Sequence, residues 1–176
     1  GREAVSFYAS KAVMCCLYQI GNYDTNGVPT VTDITPIEQG VNEALCGTFR
    51  YCLNATMEEE IKHHFVNIVV PDVVTGSMRL DGNSIPNWKT ILLNGKIYAY
   101  PTVDVAGKTS FVLSNTSAPF VAHVYGRDEL GNVGAISYSY SAGRKPQHSM
   151  NIIIPDGEQD SIVSQKTVCQ NSSLLL

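Results

Sequence analysis

Apolar and polar side chains alternate over short runs along most of this chain. The runs read "VSFYAS" (5–10), "AVMCCLYQI" (12–20), "HFVNIVV" (64–70), "SMRLDG" (77–82), "KIYAYPTVDV" (96–105), "TSFVLSN" (109–115), "FVAHVYG" (120–126) and "VGAISYSY" (133–140). A period of two is that of a half-buried strand, whose neighbours point to opposite faces. Between the runs lie "GNYDTNG", "VPDVVTG", "LDGNSIPN", "LNGK" and "DELGN", rich in residues that tolerate turn geometry. Many short strands punctuated in this way predict an all-β fold, a β-sandwich of short antiparallel strands. Asn94-Gly95 is a strong two-residue hairpin signal and joins "WKTILL" to "KIYAYP". Helix formers gather only in "PIEQGVNEALCGTF" and "TMEEEIKHHF", where Thr56 and Glu59 have capping-box spacing. At most one or two short helices are expected, within residues 36–63.

One pattern occurs twice. "SFYASKAVMCCLYQ" (6–19) aligns with "SFVLSNTSAPFVAHVYG" (110–126) when three residues are inserted. Each copy reads as a strand ending in Ser, a tight turn, and a strand ending in Tyr. The expectation is a duplicated β-hairpin. The first copy would then be the closing strands of an upstream β unit, and since two strands alone form no stable sheet, it either packs on the second unit or finds its upstream strands on another chain. This gives three parts: residues 1–40 as closing hairpin and linker, 41–150 as a β-sandwich unit, and 151–176 as a tail or link to a following domain. The start at Gly1, with no Met and no apolar leader, reads as a mature fragment.

Composition narrows the class. The chain has 176 residues, 44% of them hydrophobic, and a net charge of −4. Lys and Arg are scattered, so no electrostatic footprint for nucleic acid is present. No apolar run is long enough for a membrane-spanning helix.

Five cysteines sit at 15, 16, 46, 52 and 169. Cys46 and Cys52 flank "GTFRY", and a sequon at Asn54 follows, which suggests a small disulfide-closed loop at a glycosylated edge. Further sequons stand at Asn115 and Asn171. Cys15 and Cys16 occupy consecutive strand positions and so face opposite ways, which disfavours a metal clip or redox pair. The expected bond is Cys16–Cys169 with Cys15 a core thiol, and Cys15–Cys169 is the alternative.

"NIVVPDVVTGSMRLDGNSIPNWKTI" followed by "FVLSNTSAPFVAHVYG" resembles the IgG Fc-binding protein N-terminal domain family. The resemblance rests on Val70-Pro71, Leu80-Asp81-Gly82, Trp88 and Ser117–Gly126, with "TPIEQ" (35–39) as a further echo, and spans residues 5–143. Ala12 stands where that family carries Pro, and Cys15-Cys16 replaces small apolar residues. The resemblance implies a secreted, non-enzymatic module of a larger extracellular or mucus-associated protein. It carries no catalytic signature, and immunoglobulin binding is not carried over.

Reactive constellations are sparse. "EEEIKHHF" is the best metal candidate, but on a strand His63 and His64 point apart. Asp72, Asp81 and Asp104 form no dense calcium loop. No nucleophile elbow, zinc-protease or phosphate-loop motif occurs, and His123 is expected as a packed strand residue. Tyr98 with Tyr100, and Tyr138 with Tyr140, alternate on strands and could offer ligand-facing aromatic pairs. The reading is a secreted structural or adhesive β-sandwich module with extracellular proteins or glycans as partners. No cofactor, nucleic acid or membrane span is expected. A carbohydrate-binding module is the alternative.

Overall fold

The computed structural model describes residues 9, 14–19, 29–49, 61, 63–127, 137–145, 151–153 and 165–167. The chain divides into two compact units, Gly1–Arg144 and Lys145–Leu176. The described residues 14–19 and 29–40, read from the sequence as a closing hairpin and linker that could pack on the β-sandwich unit, fall in the first of these.

The first unit holds β1 (Cys16–Gln19), β2 (Thr30–Asp33), β3 (Glu43–Gly47), β4 (His63–Pro71), β5 (Met78–Leu80), β6 (Asn83–Ser84) and β7 (Lys89–Leu93). It continues with β8 (Lys96–Tyr100), β9 (Thr102–Asp104), β10 (Ser110–Asn115), β11 (Val121–Arg127) and β12 (Ser137–Ser141). Two sheets carry its core. One has the order β3-β10-β5-β6, and the other β12-β11-β4-β8-β7 with β9 beside β4. Every pairing is antiparallel. The expected all-β sandwich is thus the observed architecture. In the second unit β13 (Asn151–Ile153) pairs antiparallel with β14 (Gln165–Thr167).

Alternation sets the core. On β4, His64, Val66, Ile68 and Val70 are buried while their neighbours are half-buried. Across the sandwich Cys46, Met78, Phe111 and Leu113 face them, and all belong to one apolar cluster with Val66, Ile68 and Val70. Pro101 has no N–H to donate, and it divides the expected strand 96–105 into β8 and β9. The Asn94-Gly95 turn forms as expected: both residues have positive φ, and Leu93 pairs with Lys96. Asp81-Gly82 does the same between β5 and β6.

Four local readings are sharpened or revised. The helix-prone segment from Pro36 holds only a 3-10 turn at Ile37–Gln39, after which "EALCG" is strand β3. Pairing with β10 through Phe111↔Cys46 and Leu113↔Ala44 outweighs the intrinsic helix preference of Glu, Ala and Leu, which is only on the order of a few tenths of a kcal/mol per residue. A second 3-10 turn occupies Asp72–Ser77, where a simple turn was expected. Lastly, 110–126 is no hairpin. β10 lies in one sheet and β11 in the other, so residues 116–120 form an arch across the sandwich. Of the first copy, 6–8 and 10–13 lie outside the described residues, and β1 pairs with β2. The strand β2 was expected to be linker. Ser139 Oγ lies 3.0 Å from Thr30 Oγ1, and Ser141 Oγ donates to the Asp33 carbonyl at 2.5 Å, fastening β2 beside β12.

Candidate functional site

The β7–β8 hairpin is positioned by its two-residue turn. That turn fixes the register Lys89↔Tyr100, Ile91↔Tyr98 and Leu93↔Lys96. Directly opposed residues share a face. Lys89, Ile91, Leu93, Lys96, Tyr98 and Tyr100 therefore line one side of the hairpin, with Pro71 of β4 opposite Tyr98. Tyr98 and Tyr100 are half-buried and the two lysines are exposed. The other side carries Leu92 opposite Ile97, which are 68% and 53% exposed. The expected Tyr98–Tyr100 pair is accordingly brought onto one accessible face. The flanking lysines were missed in the sequence, although the Asn94-Gly95 register places them there.

Tyr138 and Tyr140 share a face too, but it is the inner one. They oppose Gly126 and the buried Val124. Their hydroxyls are engaged within the protein. Tyr140 Oη accepts from the Gly47 N–H at 2.9 Å and donates to the Gly47 carbonyl at 2.7 Å. Tyr138 Oη lies 2.8 Å from His64 Nδ1. His64 Nε2 donates to the Ile61 carbonyl at 2.8 Å, so the ring ties Tyr138 on one side to Ile61 on the other. Phe49 packs edge-on against both tyrosines, at centroid distances of 5.0 and 6.2 Å. An open groove of about 580 Å³ runs past Leu45, Thr48, Phe49 and the two rings. The Tyr138–Tyr140 pair is a clamp between the sheets rather than an outward platform.

His63 and His64 diverge. His64 is buried in the clamp, and His63 stacks on Phe65 on the outer face of β4. Among the described residues no three His, Cys, Asp or Glu side chains gather as a metal site. Asp81 receives hydrogen bonds from Lys108 Nζ and the Val112 N–H, which hold its carboxyl below the usual range.

His123 lies on the outer face of β11, stacked on Tyr125 at 5.7 Å. Neither ring nitrogen has a hydrogen-bond partner among the described residues. Burial lowers its pKa from 6.5, opposed by the nearby Asp33 charge. The folded protein therefore favours the neutral ring, and the unfolded chain takes up the proton first as pH falls. Stability contributed by neutral His123 is full above pH 6.5 and drains away below it, by at most about 1.4 kcal/mol per pH unit. Urea midpoints measured from pH 7.5 to 5 should fall less steeply for His123→Leu than for the parent. Parallel curves would contradict the assignment.

Three modification expectations are corrected. Asn115 is 1% exposed. Its Oδ1 accepts from Ser77 Oγ, the Ser117 N–H and the Ala118 N–H, so it is a structural corner of the arch and offers no site for a glycan. Cys46 points inward from β3 with its thiol free, opposite Phe111. Burial pushes that thiol up to about 12. The expected Cys46–Cys52 bond is not present at Cys46. The Cys16 thiol is likewise free and exposed, in place of the expected bond to Cys169, and Cys15 is half-buried and free. Cys52, Cys169, Asn54 and Asn171 lie outside the described residues.

No family model matches the chain, and neither do any curated proteins or solved structures.

Proposed function

We propose that this chain is a non-enzymatic structural or adhesive β-sandwich module of a larger secreted or surface protein, mediating contacts with proteins, matrix or mucus. The observation that carries the binding part is the β7–β8 hairpin, which presents Leu92 and Ile97 on one side and two tyrosines between two lysines on the other. Exposed apolar side chains on a rigid hairpin are suited to protein contacts. Polar groups of reactive type elsewhere, namely His64, Tyr140 and Asn115, are spent on structural hydrogen bonds. The extracellular part rests on the resemblance to the IgG Fc-binding protein N-terminal domain family, which no family model supports. A buried free Cys46 and a buried Asn115 remove two sequence arguments for secretion.

The carbohydrate-binding alternative is favoured by Tyr98 and Tyr100 sharing one face. Full-length precursor, tagged and expressed in its host's cells, should be recovered from the medium or the cell surface. Recovery from the cytosol alone would overturn the reading. A glycan array on the purified chain decides the alternative: specific sugar binding lost in Tyr98→Ala and Tyr100→Ala would replace adhesion through protein contacts.

A further inference from the structure

Four strands end the two main sheets, and three of those edges are short or partly occupied. The outer edge of β3 is occupied at both ends. Val41, just before it, exchanges backbone hydrogen bonds with Phe120, and the Gly47 N–H and carbonyl are taken by the Tyr140 hydroxyl. The strand β6 is two residues long. β12 is flanked by β2, through Ser139 and Ser141.

The edge of β7 differs. Leu93 and Lys96 flank a two-residue turn, so they exchange both of their backbone hydrogen bonds. Ile91 and Lys89 likewise face β8, and Thr90 and Leu92 direct N–H and C=O away from it. None of these four groups has a partner among the described residues. The stretch Thr90–Leu93 between them is uncharged and apolar or β-branched.

Charge selects the occupant. The run "KTILLNGKIYAY" holds two lysines and no acidic residue in a chain of net charge −4. Neither Lys89 nor Lys96 is in an ion pair among the described residues. Lysine on an edge normally opposes strand addition, because pairing would bury it. Here Lys89 begins β7 and Lys96 lies on the inner neighbour, so both flank the free stretch without interrupting it.

We propose that the free edge of β7 accepts an extended segment of a protein partner as an added strand, one with apolar residues at alternate positions and acidic residues near its ends. Backbone pairing would occupy Thr90 and Leu92. Side chains on one face of the added strand would cover Leu92 and Ile97, and those on the other would cover Ile91 and Tyr98, with carboxylates near Lys89 and Lys96. This deepens the protein-binding reading and rests on it.

A phage-displayed random octapeptide library panned on the folded 176-residue chain provides the test. The expected result is enrichment of alternating apolar peptides with terminal Asp or Glu. Methylating alternate backbone nitrogens of a selected synthetic peptide should abolish binding. Thr90→Pro should do so too, since it removes a donor that makes no bond among the described residues. Lys89→Glu/Lys96→Glu should weaken binding roughly tenfold while leaving the melting curve in place. No enrichment, or binders indifferent to backbone methylation and to Thr90→Pro, would overturn the proposal. Chondroitin sulfate oligosaccharides run in parallel. If they bind the lysine face and no peptide does, the edge proposal fails in favour of an acidic glycan. Secretion of the precursor is measured separately, so loss of edge binding alone leaves the extracellular assignment standing.

Discussion

Asn115→Ala is expected to destabilise the sandwich by about 3 kcal/mol, read as a lowered urea midpoint with unchanged slope. The side chain stands at the end of β10 where the chain leaves one sheet for the other. Its Oδ1 accepts from Ser77 Oγ at 2.7 Å, the Ser117 N–H at 2.9 Å and the Ala118 N–H at 3.3 Å. Its Nδ2 donates to the Val74 carbonyl at 3.4 Å. One amide thus joins the 3-10 turn Asp72–Ser77 to the arch. Truncation strands two backbone donors, and each unsatisfied buried group costs roughly 1–3 kcal/mol. Ser77 loses less, because its hydroxyl also reaches the Val74 carbonyl at 2.9 Å. Asn115→Asp keeps the acceptor and loses the donor, so it should fall between parent and Ala. Ser117→Ala separates structure from modification. It deletes the sequon but leaves the Ser117 N–H bond intact, so stability should not change. A loss below about 1 kcal/mol for Asn115→Ala would show that the amide does not hold the arch.

The same residue shows where sequence reading stops. Asn-Thr-Ser is a sequon by composition, yet the fold turns Asn115 inward to satisfy a corner. Only the β10-to-β11 crossing between sheets reveals this need. A strand, a tight turn and a second strand read identically for a hairpin and an arch, because alternation fixes faces without fixing the partner strand. Where turn and pattern act together the reading succeeds: Asn94-Gly95 fixes the β7–β8 register residue by residue. Where propensity and pairing compete the pattern leaves the outcome open, as in "EALCG", whose helix formers yield to β10. The tyrosine pairs show the intermediate case. Tyr98 with Tyr100 and Tyr138 with Tyr140 do each share a face, but which pair looks outward depends on sheet stacking. Cys46 is similar. Its spacing to Cys52 suits a loop disulfide, while the alternation of β3 carries it into the core beside Phe111.

Gly126→Ala is expected to cost about 2–3 kcal/mol, against the ordinary preference of a strand for Ala over Gly. The reason is the ring of Tyr138, which lies over Gly126 on the neighbouring strand. A Cβ there would stand 2.2 Å from Tyr138 Cε1, 2.8 Å from Cζ and 3.0 Å from Ile61 Cγ2. The ring must leave, and its hydroxyl then leaves His64 Nδ1 without that bond in a buried site. Its edge-on contact with Phe49 and its stacking on Tyr140 at 6.4 Å go with it. Tyr140 bridges the two sheets through Gly47, so the disturbance reaches the β3 edge. A double-mutant cycle isolates the cause. In a Tyr138→Ala background only the tight Ile61 Cγ2 contact at 3.0 Å remains, and the cost of Gly126→Ala should fall below about 1 kcal/mol there. The coupling energy should exceed 1 kcal/mol, on the order expected for residues in direct contact. Additive costs would mean that Gly126 is required by its backbone instead. Its φ gives no such reason, since Gly126 is absent from the positive-φ glycines Gly82, Gly95, Gly107 and Gly143.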